Sequence, residues 1–250
     1  MNKSLFLASL LAVSLSAAAA DSPLTGNITL TSDYKFRGFT QTNYKPALQG
    51  GFDYALPAGF YVGNWNSSIE QSLYGGASLE SDVYGGFKGK IGALDYDVGA
   101  VHYMYPGSTG PKIDNTELYF GLSAGPFAAK LYYAITDYFA YGKIARALGN
   151  AAAPDTDGTI YLDLAATHDL GGGVSLNAHV GLLRLKGASY YDVPSTVTDY
   201  KIGVSKDFSG WVVGLAYLGT DEKGFALTGS MSGQRNAGDA KALLSLTKTF

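Results

Sequence analysis

Residues 27–37, NITLTSDYKFR, alternate strictly between two kinds of side chain. Ile28, Leu30, Tyr34 and Phe36 share one phase with the small Ser32, and Thr29, Thr31, Asp33, Lys35 and Arg37 share the other. A period of two is the mark of an extended strand with one apolar and one polar face. The segment has the roughly nine to eleven residues that a tilted strand needs to cross a bilayer. The same unit recurs along the chain, which restricts the fold to a β-sheet architecture with two unlike faces.

Reading on, the pattern predicts about twelve strands. They span 27–37, 47–56, 60–68, 80–88, 93–104, 115–124, 127–138, 159–169, 174–184, 197–207, 211–219 and 239–250. Their connections sort by parity. Every second one is a short turn rich in Gly, Pro or Ser, such as Pro57-Ala58-Gly59 or Gly171-Gly172-Gly173. The intervening ones are long. Short turns at one end and long loops at the other are the plan of an antiparallel, up-and-down transmembrane β-barrel, with both termini on the short-turn, periplasmic side. The longest loop, 139–158, contains YGKIARALGNAAAPD and is expected to be an exposed external loop carrying a short helical turn. An inward-folded constriction is its alternative.

The first twenty residues read differently. Lys3, an apolar run over 5–15 and Ala18-Ala19-Ala20 form a secretory signal peptide with cleavage before Asp21, leaving a barrel over 21–250. Loss of Lys3 from the 18 Lys and Arg leaves 17 basic against 21 acidic residues, a net charge of −4. That mild acidity argues against a nucleic-acid partner. There is no cysteine, so neither disulfides nor thiolate metal sites arise. Charged residues make up only 16% of the chain, against roughly 25% in soluble domains. Low charge without a long apolar run suits strands whose lipid-facing and lumen-facing residues alternate.

Alternation alone does not say which face meets lipid, and a soluble sandwich or lipocalin-like barrel would turn the apolar face inward. Three features favour lipid outside. Aromatic residues of the apolar phase lie near strand ends, as interfacial girdles do: Tyr54, Tyr61, Phe87, Tyr96, Phe127, Trp211 and Phe250 near the short turns, Phe36 and Tyr217 near the long loops. Charged exceptions on that phase, His168, Arg184, Lys206 and Lys248, stand near strand ends, where they can snorkel. The chain ends in Phe250, resembling the terminal aromatic that outer-membrane proteins present to their assembly machinery, although Lys248 replaces the usual second apolar residue.

The run SDYKFRGFTQTNYKPALQGGFDYALPAGFYVGNWNSS, residues 32–68, resembles the TorF-type (Gcw-type) family of proteobacterial outer-membrane porins. The resemblance is specific over about the first three strands. It implies a porin-like barrel and transfers no site. Asp33, Tyr34, Arg37, Gly38, Pro46, Gln49, Gly51 and Trp65 carry the motif, and most are expected to serve strand ends, turns and girdle.

The polar phase supplies the candidate pore lining: Asp33, Lys35, Arg37, Asp53, Asp95, Asp97, Glu117, Lys130, Asp163, Asp199 and Lys201. Ion pairs that simply fill the barrel are the competing reading. The acidic excess predicts weak cation preference in an open channel. An enzyme reading finds little: His102 is a candidate base, yet the adjoining strand offers Thr116 and Leu118 on its phase, with no serine and no Gly-x-Ser-x-Gly elbow. The histidines lack metal-ligand spacing, and no cofactor motif is found. The expected function is passive diffusion of small hydrophilic solutes, with outer-membrane lipids as surroundings. The alternative is a non-conducting barrel that binds or senses through its long loops.

Overall fold

The computed structural model describes residues 22–191, 193–222 and 236–250. The expected signal peptide lies outside the described residues. Twelve antiparallel strands close into one barrel. They are β1 (Leu24–Thr31), β4 (Ala47–Ala55), β5 (Phe60–Ser68), β6 (Leu79–Ile91), β7 (Leu94–Met104), β8 (Asn115–Ala124), β9 (Phe127–Ala134), β10 (Ile160–Gly171), β11 (Val174–Arg184), β12 (Thr196–Phe208), β13 (Trp211–Thr220) and β14 (Lys241–Thr249). Each pairs with its sequence neighbour, and β1 pairs with β14 to complete the ring. Full closure leaves no sheet edge with unpaired backbone groups, a condition for a sheet in hydrocarbon. Phe250 fastens the seam, with its N–H donating to Gly26 and its carbonyl accepting from Gly26.

The exterior is apolar. Leu30, Leu48, Phe52, Phe120, Ile202, Leu215 and Leu244 all point out and are about half exposed or more. Thr29, Gln49, Asp97, Tyr119, Asp163, Asp199 and Ser245 point in and are buried. Lys206 and Lys248, two of the four charged residues of the outer phase, lie over the rings of Phe208 and Trp211 at the barrel's end. The first residue of β1 is paired with Tyr54, beside the short β4–β5 turn, so β1 begins and β14 ends at the short-turn end.

Three expectations need correction. The founding segment is not one strand: β1 begins earlier, at Leu24, and stops at Thr31. The chain then folds into the lumen as a small hairpin, β2 (Lys35–Phe36) and β3 (Phe39–Thr40), turning at Arg37-Gly38. Both turn residues have positive φ, 47° and 83°, as a tight two-residue hairpin turn requires. Tyr34 and Phe36, placed on the lipid face by alternation, are therefore buried inside. Second, Tyr61 and Trp65 project inward, while Phe60 and Val62 hold the outer face of β5. Aromatic rings do not fix the phase there, because tyrosine is as much a lumen residue as a girdle residue. Third, β9 ends at Ala134, and the loop after it does not stay outside. Tyr138, Phe139 and Ala140 are fully buried at the lumen mouth, and only then does a helix, α1 (Tyr141–Ala147), form. The Asp137 carboxylate secures this bend by accepting from the N–H groups of Gly142, Lys143 and Thr156 and from the Thr156 hydroxyl.

Candidate functional site: the barrel lumen

The half of the lumen nearest the long loops is filled. At the hairpin root, Asp33 Oδ1 accepts from the hydroxyls of Thr40 (2.6 Å) and Thr42 (2.8 Å). Tyr34 packs edge-on to Trp65 of β5, 5.4 Å between centroids. Phe36 meets Tyr103 of β7 and Phe139 of the inward loop at 5.6 and 5.7 Å. Gly38 at the tip abuts the wall two and three strands from β1: a Cβ there would lie 2.8 Å from Asp199 Cβ of β12 and 2.9 Å from the Gly219 carbonyl of β13. The hairpin thus lies inside the lumen with its tip seated against β12 and β13.

Arg37 is its anchor. The guanidinium donates to both carboxylate oxygens of Glu117, at 2.7 and 3.0 Å, and to the Tyr138 hydroxyl at 2.6 Å. It also lies over the ring of Tyr161, 4.2 Å from the centroid. Both partners of the ion pair are buried. A bidentate fork is the geometry for which arginine is suited, and lysine would not reproduce it. A left-handed backbone at a non-glycine residue carries local strain, which the ion pair offsets. Lys35 Nζ donates to the carbonyls of Gly38 (3.1 Å) and Asp239 (2.7 Å), holding the hairpin to the segment before β14.

A belt of charge runs around the wall, from beside the hairpin tip toward the short turns. Lys88 and Asp97 are direct cross-strand partners, as are Lys130 and Asp163. Lys130 Nζ lies 2.8 Å from Asp97. His179 bridges two carboxylates, with Nδ1 2.8 Å from Asp163 and Nε2 2.6 Å from Asp199, and has Lys201 as its cross-strand neighbour. Tyrosines join the belt. Tyr61 donates to Asp97 (2.6 Å), Tyr84 to Asp53 (2.8 Å) and Tyr161 to Asp199 (3.0 Å). Asp95 sits lower, paired with Lys90 at the short-turn rim.

Glycines on adjoining strands make room for these rings. A Cβ on Gly63 would lie 2.3 Å from the Tyr84 ring, one on Gly99 2.5 Å from the Tyr119 hydroxyl, and one on Gly181 2.1 Å from the Tyr161 hydroxyl. Glycine within a strand often marks such close approach. This is the signal, legible in the sequence, that could have turned Tyr61 inward.

All eleven candidate lining residues thus face the interior, in two groups. Asp53, Asp95, Asp97, Lys130, Asp163, Asp199 and Lys201 project from the wall. Asp33, Lys35 and Arg37 belong to the hairpin instead, and Glu117 receives it. His102, on the outer wall, bonds through Nδ1 with Thr116 Oγ1 at 2.9 Å.

Solved structures share this architecture. The KdgM porin matches with a TM-score of 0.53 at 7% identity, over 90% of this chain and 99% of that one. The NanC porin matches with a TM-score of 0.55 at 8% identity, over 91% and 98%. At such identities the likeness establishes the fold. No curated protein matches the sequence. A family model described as "Bacterial protein of unknown function (Gcw_chp)" matches residues 16–250. That match takes in every strand of the barrel, and the chain belongs to the Gcw_chp family.

Proposed function

We propose that this chain is an outer-membrane porin-like channel, of the TorF type, for passive diffusion of small hydrophilic solutes. The signal peptide is removed, the termini and short turns face the periplasm, and the long loops face outward. Phe250 serves recognition by the assembly machinery. The single observation that carries the reading is the belt: charges, hydroxyls and an imidazole line a closed twelve-strand wall whose outside is apolar. A lumen that needed only filling could be lined by apolar side chains at lower desolvation cost. Solutes would pass Asp53, Asp97, Lys130, Asp163, Asp199 and Lys201 by exchanging water for these paired groups, with no covalent step.

The hairpin and residues 138–140 then act as the constriction. A twelve-strand barrel lies between the eight-strand barrels filled by side chains and the sixteen-strand barrels with water channels, so an inserted hairpin governs its passage. The test is planar-bilayer conductance with liposome swelling in sugars and amino acids. Discrete cation-preferring conductance and swelling are expected. Silence in wild type and in a variant with residues 33–42 replaced by a short Gly-Ser linker would overturn the channel reading. The burial of Phe36, Arg37 and Phe139 favours a second reading, a non-conducting barrel that binds through its long loops, and that double silence is its signature.

A further inference from the structure

The outer wall is not apolar throughout. On β5 the outward phase passes from Phe60 and Val62 to Asn64 and Asn66, and on β6 it includes Ser81. His102 of β7 and Thr116 of β8 continue the series across the sheet. The residues are contiguous. Asn66 is the cross-strand partner of Ser81, Val83 stands between Asn64 and His102, and His102 is the partner of Thr116. Asn66, Ser81 and His102 each lie two residues from the long-loop end of their strands, where β10 and β11 carry Leu162 and Leu182. Asn64 is deeper, at the midpoint of β5. Within the patch the Asn66 amide donates to Asn64, the Asn64 amide donates to the Asp82 carbonyl (2.9 Å), and His102 Nδ1 bonds with the Thr116 hydroxyl. Among the described residues, Asn66 Oδ1 and His102 Nε2 are left without a hydrogen bond. Polar groups that face hydrocarbon unpaired are costly.

We propose that this patch is the interface through which two copies of the chain pair side by side in the membrane. The partner must itself be embedded, because Asn64 lies at mid-strand, and it must offer neutral hydrogen-bonding groups at the same depth. A second copy inserted in the same direction, related by a two-fold axis along the membrane normal, meets both conditions: each residue faces the same set at its own level. The patch is also self-complementary. With the Thr116 hydroxyl donating to Nδ1, the ring proton of His102 sits on Nε2 as a free donor, and Asn66 Oδ1 is a free acceptor. The patch holds no Lys, Arg, Asp or Glu, which sets it apart from a seat for a phosphorylated lipid headgroup; Arg184, Lys206 and Lys248 of the outer phase stand on β11, β12 and β14. Shape agrees. Phe52 beside Asn64 and Leu118 beside Ala100 stand about half exposed, while Gly85 and Ala100 between them form a floor on which a second wall can close. Small residues and polar side chains are how embedded surfaces associate where lipid removes the hydrophobic drive. The pairing rests on the outer wall meeting lipid and is independent of conduction.

Single cysteines test the pairing, since the chain has none of its own. V83C lies at the centre of the patch, and I202C lies on β12, on the opposite side of the ring from β6. Treated in membranes with a short bismaleimide, V83C should give a band of two chains, and I202C at equal expression should stay a single chain. N66L and H102L, each added to V83C, should raise the protein density needed for half crosslinking about tenfold, because each change removes a bond on both sides of the axis. Equal crosslinking at the two cysteines, none at either, a V83C product of any other mass, or crosslinking unmoved by both leucines overturns the proposal. Heat-modifiable migration reports folding of each variant. A folded, membrane-bound V83C that does not crosslink refutes the pairing and leaves the channel reading untouched, whereas a chain washed free of membranes refutes both. Should neither leucine variant fold, V83C against I202C decides.

Discussion

The two halves of the lumen are lined by the same strands yet are built on opposite principles. Near the long loops the interior resembles a soluble protein core: Tyr34, Phe36, Phe39, Tyr103, Tyr138 and Phe139 pack ring against ring, with one buried ion pair at the centre. Near the short turns no loop among the described residues enters, and the interior is a ring of partly exposed Lys88, Lys130, Tyr61 and Asp53. The barrel wall does not make this difference; the connections do. Long loops have enough chain to turn back inside, where burying an aromatic residue is favourable, and two- to four-residue turns do not. A wall that varies little can thus be open or closed according to what its loops put in it.

Removing the hairpin is the most direct way to break that contrast. Replacing residues 33–42 with a short flexible linker should raise single-channel conductance at least tenfold and leave heat-modifiable migration in place, since β1 pairs with β4 and β14 without it. R37A is the next largest. It leaves Glu117 buried and unpaired, a loss of roughly 3–5 kcal/mol, visible as an earlier unfolding transition in urea and as flickering conductance. R37K should recover only part of this, because one ammonium cannot make two parallel bonds. A variant R37A as stable as wild type would mean that the packed half does not depend on its ion pair.

How much of this was legible beforehand follows from where the chain obeys one rule at a time. Strands β5, β8 and β11 end where alternation and turn residues say they should, because nothing but the wall competes for them. In residues 32–40 two rules compete. Alternation continues unbroken through Lys35 and Phe36, and it is equally the pattern of a hairpin arm. Lys-Phe-Arg-Gly-Phe-Thr, two matched dipeptides around a turn ending in glycine, was the sign of the second possibility. For the site, residue type was enough to turn Asp97 or Asp163 inward, since a carboxylate is costly on the lipid face. Partnership was not legible. That His179 would span Asp163 and Asp199, or that Arg37 would cross to Glu117, depends on register and on an inserted loop, and single-strand patterns carry neither.

The belt offers a finer probe. G181V places branched carbon where the Tyr161 hydroxyl and an Asp199 oxygen now lie, at 2.1 and 2.2 Å from a Cβ. Overpacking of this kind costs roughly 1–3 kcal/mol. It should also unseat Tyr161 from beneath Arg37, coupling the open half to the packed one. A double-mutant cycle of G181V with R37A, read by urea unfolding, should be non-additive. Additivity would make the two halves independent units that merely share a wall.

The smallest effect belongs to the rim, where Lys45 pairs with Glu70 and Glu70 receives a further bond from the Ser72 hydroxyl. The hydrogen bond from the Lys45 ammonium, with its charge, holds the Glu70 carboxyl below its ordinary value. A carboxyl depressed in the folded state stabilises that state above the unfolded pKa, about 4.3 for glutamate, and ceases to do so as pH falls through the folded value. The Lys45 side chain is 63% exposed, so solvent screens the pair, and E70Q should cost no more than ~1 kcal/mol at pH 7. The difference between wild type and E70Q should begin to shrink as pH falls below about 4.3 and vanish once the pH is below the folded value. If E70Q instead equalled R37A in size, the closed half would be held from its rim, and the distinction between a core-like plug and a loop-tied lid would fall in favour of the lid.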